Sequence, residues 1–149
     1  MLHMLRNEVG TEHFWAGIRE YFRRFRDSNV LTEDLQVVME EVSGQDLSHF
    51  FEQWVYRPGQ PDLVAKWTYD ADAGQVRIQI EQGQDESFDF PLEIGIADVG
   101  GGLTIERVHV SDAGHSFTID VDKAPHAIEL DPNTNLLFSS ERANLDRRE

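Results

Sequence analysis

Hydrophobic positions recur every three or four places through the first 57 residues, and every two places beyond residue 62. The first period fits helices and the second fits strands, because side chains return to one face at those spacings. Met1, Leu2, Met4, Leu5 and Val9 form an apolar stripe that stops at Gly10. Thr11 is a suitable N-cap for a second helix. That helix sets Phe14, Trp15, Ile18, Tyr21, Phe22 and Phe25 against Arg19, Arg23, Arg24 and Arg26, and ends at Ser28-Asn29. Thr32 is predicted to cap a third helix with Leu35, Val38, Met39 and Val42 inward, and Gly44 suits its left-handed C-terminal position. Asp46 is predicted to cap a fourth, in which Leu47, Phe50, Phe51 and Trp54 share one face.

"RPGQPD" ends the helical pattern, since two prolines and a glycine cannot continue it. Strands are then predicted at Leu63–Tyr69, around Val76, Ile78 and Ile80, and in "FDFPLEIGIAD". Further strands are predicted in "LTIERVHV", "SFTIDV", "HAIELD" and "NLLFSS". Phe88, Phe90 and Phe117 fall at inward positions. Pro91, which cannot donate to a ladder, suggests an edge or a bulge. In "LTIERVHV" the apolar phase slips from Leu103 and Ile105 to Val108 and Val110, which suggests a bulge. Short strands with frequent turn signals read as an antiparallel β-sandwich. The expected class is therefore α+β: a small helical bundle over 1–57, a Pro/Gly linker over 58–62 and a β-sandwich over 63–149. The tail "ERANLDRRE" reads as frayed.

Charge changes the picture in one respect. The chain carries −15 overall. Residues 1–57 hold six arginines against ten acids, and residues 58–149 hold seven bases against eighteen acids, so the strand-rich part is the more acidic. Such a balance opposes binding to phosphate backbones and to anionic membranes. No apolar run reaches the roughly 18–20 residues of a membrane span, and the reading is of a soluble protein whose compartment the sequence does not fix. There is no cysteine, which removes disulfides, thiolate metal sites and cysteine nucleophiles together.

Candidate chemistry is sparse. Among His3, His13, His49, His109, His115 and His126, no pair has the spacing that presents two imidazoles on one turn of helix, and there is no HExxH. His3, Glu8 and His13 straddle a helix break. His109 and His115 flank one hairpin. Solvated or capping histidines are the simpler reading of both groups. There is no GxSxG elbow. Gly100–Gly102 lacks the Lys and Ser/Thr of a phosphate loop and reads as a turn. Glu40-Glu41 and Asp85-Glu86 are adjacent, so they diverge rather than converge, and solvated faces explain them. No catalytic, metal-ligating or cofactor-binding residue is assigned. The first helix opens on apolar residues without a capping side chain, which is expected of a helix cut through its middle and hence of a larger parent.

From Leu2 to Trp67 the chain resembles the end of the catalytic domain in zinc aminopeptidases of the aminopeptidase N family. The similarity lies in "LHMLR", in Asp34, Val38-Met39-Glu40, Ser43-Gly44, Asp46-Leu47, Phe50-Phe51 and Gln53-Trp54, then in Pro58-Gly59, Pro61 and Trp67. "LDPNTNLL" at Leu130–Leu137 matches more loosely. The resemblance implies a β-sandwich domain after the helices and a parent that removes N-terminal amino acids from peptides with zinc. The family's HExxH helix, its distant glutamate ligand, its GxMEN motif and its transition-state tyrosine match nothing here. The chain is thus expected to be structural and inactive alone, with no cofactor of its own. Its expected partners are the remainder of the catalytic domain and, through the parent, peptide substrates, with no nucleic acid and no membrane. Uncovered apolar residues on the first two helices would favour self-association, while a piece starting near Pro61 would be monomeric. The alternative is a non-enzymatic acidic β-sandwich interaction module.

Overall fold

The computed structural model describes residues 1–140 and 144–145. The chain is α+β and divides into two compact units, Met1–Gly59 and Gln60–Glu149.

The first unit holds helices α1 (Leu2–Val9), α2 (Thr11–Phe25), α3 (Thr32–Ser43) and the single turn α4 (Ser48–Phe51). Helix α2 packs on α3 where Gly17 lets the helices approach. A Cβ at Gly17 would lie 2.5 Å from the Met39 sulfur. Val38 and Met39 are buried, as are Phe14, Met4, Leu5 and Val9, whereas Leu35 and Val42 are only half-buried. Helix starts depart from expectation in three places. Thr11 and Thr32 are the first helical residues, not caps. Gly10 occupies the cap of α2 at φ 84, a value that glycine adopts freely. Before α3, the Asp34 carboxylate accepts from the Leu31 N–H at 2.8 Å. Gly44 is left-handed at φ 70 and donates to Glu40, as its position predicted. Asp46, expected to cap α4, lies one residue before its cap, Leu47, and accepts from the Ser48 N–H at 2.9 Å.

The fourth helix is not regular. After Phe51 the chain widens into a π-helical turn, Glu52–Tyr56. The extra residue per turn rotates the side chains beyond Phe51 away from the regular helical phase. Leu47, Phe50 and Phe51 are buried, Gln53 joins them, and Trp54 ends half-buried.

The second unit holds seven described strands, all paired antiparallel: β1 (Leu63–Asp70), β2 (Gln75–Gln82), β3 (Phe90–Asp98), β4 (Leu103–Val110), β5 (Gly114–Asp120), β6 (Pro125–Leu130) and the short β7 (Asn144–Leu145). They form two sheets, ordered β1-β2-β5 and β4-β3-β6-β7. Each sheet buries one face. Leu63, Ala65, Trp67, Val76, Ile78 and Ile80 cover the first, and Phe90, Leu92, Ile94, Ile96, Ile128 and Leu130 the second. Phe88 joins this core, while Phe117 is half-buried and stacks on the His115 ring at 5.6 Å.

Three strand expectations are corrected. β3 is an interior strand, not an edge. Pro91 is tolerated because β6 pairs with β3 only from Ile94 onward, leaving Pro91 paired on one side with His109 of β4. β4 carries no bulge. Its register along β3 runs unbroken from Val110 to Leu103, and the phase slip is a change of face, with Leu103 and Ile105 on one side and Val108 and Val110 on the other. The register shift lies instead between Ala97 and Asp98, against β6. "NLLFSS" is not a strand. It contributes one parallel bridge, Ser139 to Asp62, after a turn closed by Asp131, whose carboxylate accepts from the Asn135 and Leu136 N–H groups. Within the tail expected to fray, Asn144–Leu145 pairs with β6, and the rest lies outside the described residues.

Candidate functional site

The residues singled out for chemistry do not converge. His3 is exposed on α1 beside Asn7, at 3.4 Å. His13 sits at the start of α2, where its Nδ1–H donates to the Val9 carbonyl at 3.0 Å, and Glu8 is exposed. In the second unit His109 pairs with Asp89 at 2.6 Å. His115 accepts at Nε2 from the backbone N–H groups of Ser111 and Asp112, at 3.1 and 3.0 Å. The two imidazoles therefore serve different partners. Among the described residues no group of three or more His, Asp or Glu is placed to hold a metal ion.

The adjacent acids diverge as their spacing predicted, but Glu40-Glu41 is not a merely solvated pair. Glu40 accepts from the Leu47 N–H at 3.0 Å and from Gln36, closing the loop between α3 and α4. Glu41 reaches Arg24 of α2 at 2.7 Å. Arg24 also binds Glu20, which Arg23 engages with two bonds. These hydrogen bonds, Arg23's first, hold the Glu20 carboxyl down at about 2. Asp85 and Glu86 are exposed between β2 and β3.

Among the described residues, one cavity lies in the second unit. An open cavity of about 570 Å³ is bordered by Gly74, Ile96, Asp98, Thr104, Asp120 and Lys123. Sequence reading passed over Asp98. Its carboxylate accepts from the Gly100 and Gly102 N–H groups at 2.6 and 3.0 Å and from Lys123 at 3.2 Å. The Gly102 backbone bond, then Lys123, then Gly100 depress its pKa. The signal was an aspartate two residues before a glycine run, a common way of closing a turn. With its lone pairs engaged, Asp98 is an unsuitable general base. The arrangement clamps the Gly100–Gly102 turn, and no nucleophile-and-base pair accompanies it.

Polar order elsewhere is structural too. Gln82, buried between strands, binds the Phe88 backbone and the Asp112 carbonyl. Among the described residues Arg6 Nε, a buried donor in the "LHMLR" stretch of α1, has no hydrogen-bond partner.

With catalytic geometry absent from the described residues, kinship decides. The Peptidase family M1 domain matches residues 1–54. Aminopeptidase N of Escherichia coli (strain K12) is 31% identical over 137 residues, 80% of this chain and 16% of that protein. The chain belongs to the aminopeptidase N family. Aminopeptidase N of Lactococcus lactis subsp. lactis is 29% identical over 113 residues, covering 74% of this chain and 13% of that protein. Aminopeptidase M1-D of Oryza sativa subsp. japonica is 28% identical over 97 residues, 64% of this chain and 11% of that protein. The fold agrees. A crystal structure of Legionella pneumophila aminopeptidase A in complex with aspartic acid superposes with a TM-score of 0.76, covering 95% of this chain and 17% of that one, at 19% identity. The chain thus spans less than a fifth of the length of these aminopeptidase relatives. Among the described residues no helix is long and apolar enough to cross a membrane.

Proposed function

We propose that this chain is a non-catalytic part of a zinc-dependent aminopeptidase that removes N-terminal amino acids from peptides. In this reading the helices of 1–57 complete the end of the catalytic domain as a small bundle. Residues 58–62 link them to the two sheets, which close face to face as a β-sandwich over 63–149. The observation that carries the proposal is the M1 domain match over residues 1–54, joined to relatives named aminopeptidase N that run several times longer.

Among the described residues the zinc fits no site. The described residues gather no ligand set, His13 is tied to Val9 and His109 to Asp89, and no catalytic step is assigned to them. Zinc ligands and catalytic groups belong elsewhere in the whole enzyme. Two features support such a partner polypeptide. Phe22 is 65% exposed and Trp15 48% on α2. The orphan Arg6 Nε would be satisfied by a carbonyl or carboxylate from neighbouring chain.

The test has two arms. The purified chain is dialysed, its zinc is measured, and hydrolysis of aminoacyl-anilides is followed. Substoichiometric zinc and blank-level rates are expected, and one zinc per chain with activity that co-purifies would overturn the assignment. The coding sequence is read beyond that of residue 1 for HExxH, whose absence would equally sink it.

A further inference from the structure

The outer edge of β4 carries an inference independent of the enzymatic reading. Among the described residues β4 has one hydrogen-bonded neighbour, β3, and so presents an unpaired row of N–H and C=O groups on its outer side between Leu103 and Val110. Open edges are usually blunted by charged side chains, proline, a bulge or brevity, and of these β4 carries one adjacent pair of opposite charge, Glu106 and Arg107. β4 contains no proline or lysine, and its register along β3 is unbroken. Leu103 is 53% exposed and Ile105 42%. The other edges are less inviting. β1 is covered at its start by Ser139, which accepts from the Leu63 N–H at 2.8 Å. β5 turns Gly114, Ser116, Thr118 and Asp120 to solvent, and β7 is two residues long.

We propose that β4 is a self-pairing edge, and that a second copy of this chain adds to it antiparallel across a two-fold axis. Such an interface is isologous, so paired positions must share a face and their numbers must sum to an even value. Overlap and charge then select the register: centring on Leu103, Thr104, His109 or Val110 leaves at most three paired residues a side within Leu103–Val110. Centring on Glu106 sets two carboxylates directly opposite, and centring on Arg107 sets two guanidiniums opposite. Centring on Val108 faces Arg107 with His109, a pairing without attraction. Centring on Ile105 places Ile105 against Ile105, Leu103 against Arg107 and Thr104 against Glu106, with no like charges opposed. That register joins two four-stranded sheets through a short apolar seam. A ladder of about five residues a side is small beside stable interfaces, so the association is weak and concentration-dependent.

The chain has no cysteine, so one introduced thiol reports on one position. Opposed Cβ atoms in an antiparallel pair lie roughly 4.5–5.5 Å apart, and a small shift of the two strands brings them to the roughly 3.5–4.5 Å of a disulfide. On the full chain, Ile105→Cys under mild oxidation should give a covalent dimer, while Leu103→Cys and Arg107→Cys should each crosslink poorly alone and well when mixed. Thr118→Cys on β5 is the control. In sedimentation equilibrium the wild type should dimerise, and Ile105→Lys, which opposes two ammonium groups, should weaken dimerisation about tenfold or more. Ile105 is part-exposed, so both variants should keep the native circular dichroism. Crosslinking of Ile105→Cys no faster than Thr118→Cys, a monomer at high concentration, or a dimer unmoved by Ile105→Lys would each overturn the proposal. The last would also result if association ran through Trp15 and Phe22 instead.

Discussion

The side-chain amide of Gln82 and the backbone of Phe88 exchange two hydrogen bonds, with Nε2 donating to the Phe88 carbonyl at 2.8 Å and Oε1 accepting from the Phe88 N–H at 2.9 Å. A side chain thus stands in for a missing strand neighbour just before β3. Gln82 also donates to the Asp112 carbonyl at 3.0 Å, which ties the β4–β5 connection to the same point. Gln82→Leu preserves bulk but removes the side-chain partner of one backbone N–H and two carbonyls, and should cost about 2–4 kcal/mol. Gln84→Ala removes bonds nearer the surface, to Gln82, the Glu86 carbonyl and the Asp62 N–H, and should cost less, about 1 kcal/mol. Urea melts of the two variants check the ordering, and equal losses would remove Gln82 from its central role.

Gly17 and Met39 make a second testable pair. Gly17→Ala would gain roughly 0.5–1 kcal/mol of helix propensity, but its Cβ meets the buried Met39 sulfur at 2.5 Å. Forcing Met39 aside should leave a net loss of about 1–2 kcal/mol. In a Met39→Ala background the same change should be neutral or stabilising. A double-mutant cycle without that reversal would mean that α2 and α3 separate freely.

Phe51→Ala should destabilise the helical unit by about 3–5 kcal/mol, because Phe51 is fully buried. Trp54→Ala should cost less, about 1–3 kcal/mol, because the π turn leaves Trp54 half-buried. A Trp54 loss equal to that of Phe51 in guanidinium melts would contradict the observed phase.

The Glu20–Arg23–Arg24 cluster predicts an acid response. The Glu20 carboxyl is held at about 2 against an ordinary value of 4.5. A depressed carboxylate contributes stability that is whole above its unfolded pKa and is lost as pH falls through the folded one. Melting temperatures of wild type and Glu20→Gln should therefore differ at pH 7 and converge between about pH 4.5 and pH 2. The group lies in a part-exposed surface cluster, so the difference should be small and should shrink in high salt. A gap that persists at pH 2 would place its origin elsewhere.

How much was legible depends on how strongly each pattern was enforced. Val76, Ile78 and Ile80 alternate because one face of β2 is buried throughout, and the strand was read correctly. The buried face of α3 was likewise announced by Val38 and Met39. β4 was misread because an edge strand is wet on both sides, so its apolar residues need not keep to one face. Pro91 was misplaced because periodicity says nothing about where a neighbour's pairing begins. The π turn was invisible, since the same aromatic run fits a regular helix until one residue too many enters the turn. Asp98 drew no notice because a single carboxylate carries no spacing signal, and only the folded Gly100–Gly102 turn assembles its donors. The family, by contrast, was legible from the motif run between Leu2 and Trp67, since it does not depend on any element boundary.

The order of strands has a consequence for the chain as it is made. β2 finds β1 at once, but its other neighbour is β5, and Gln75 must wait for Asp120, 45 residues later. At about 5–20 residues per second that wait lasts roughly 2–9 s. Throughout it, β2 offers an open edge and a bare row of Val76, Ile78 and Ile80 to any other nascent strand. Arg77, Gln79 and Glu81, exposed on the opposite side of β2, then act as gatekeepers: their charge and hydration oppose stacking of unfinished hairpins during synthesis.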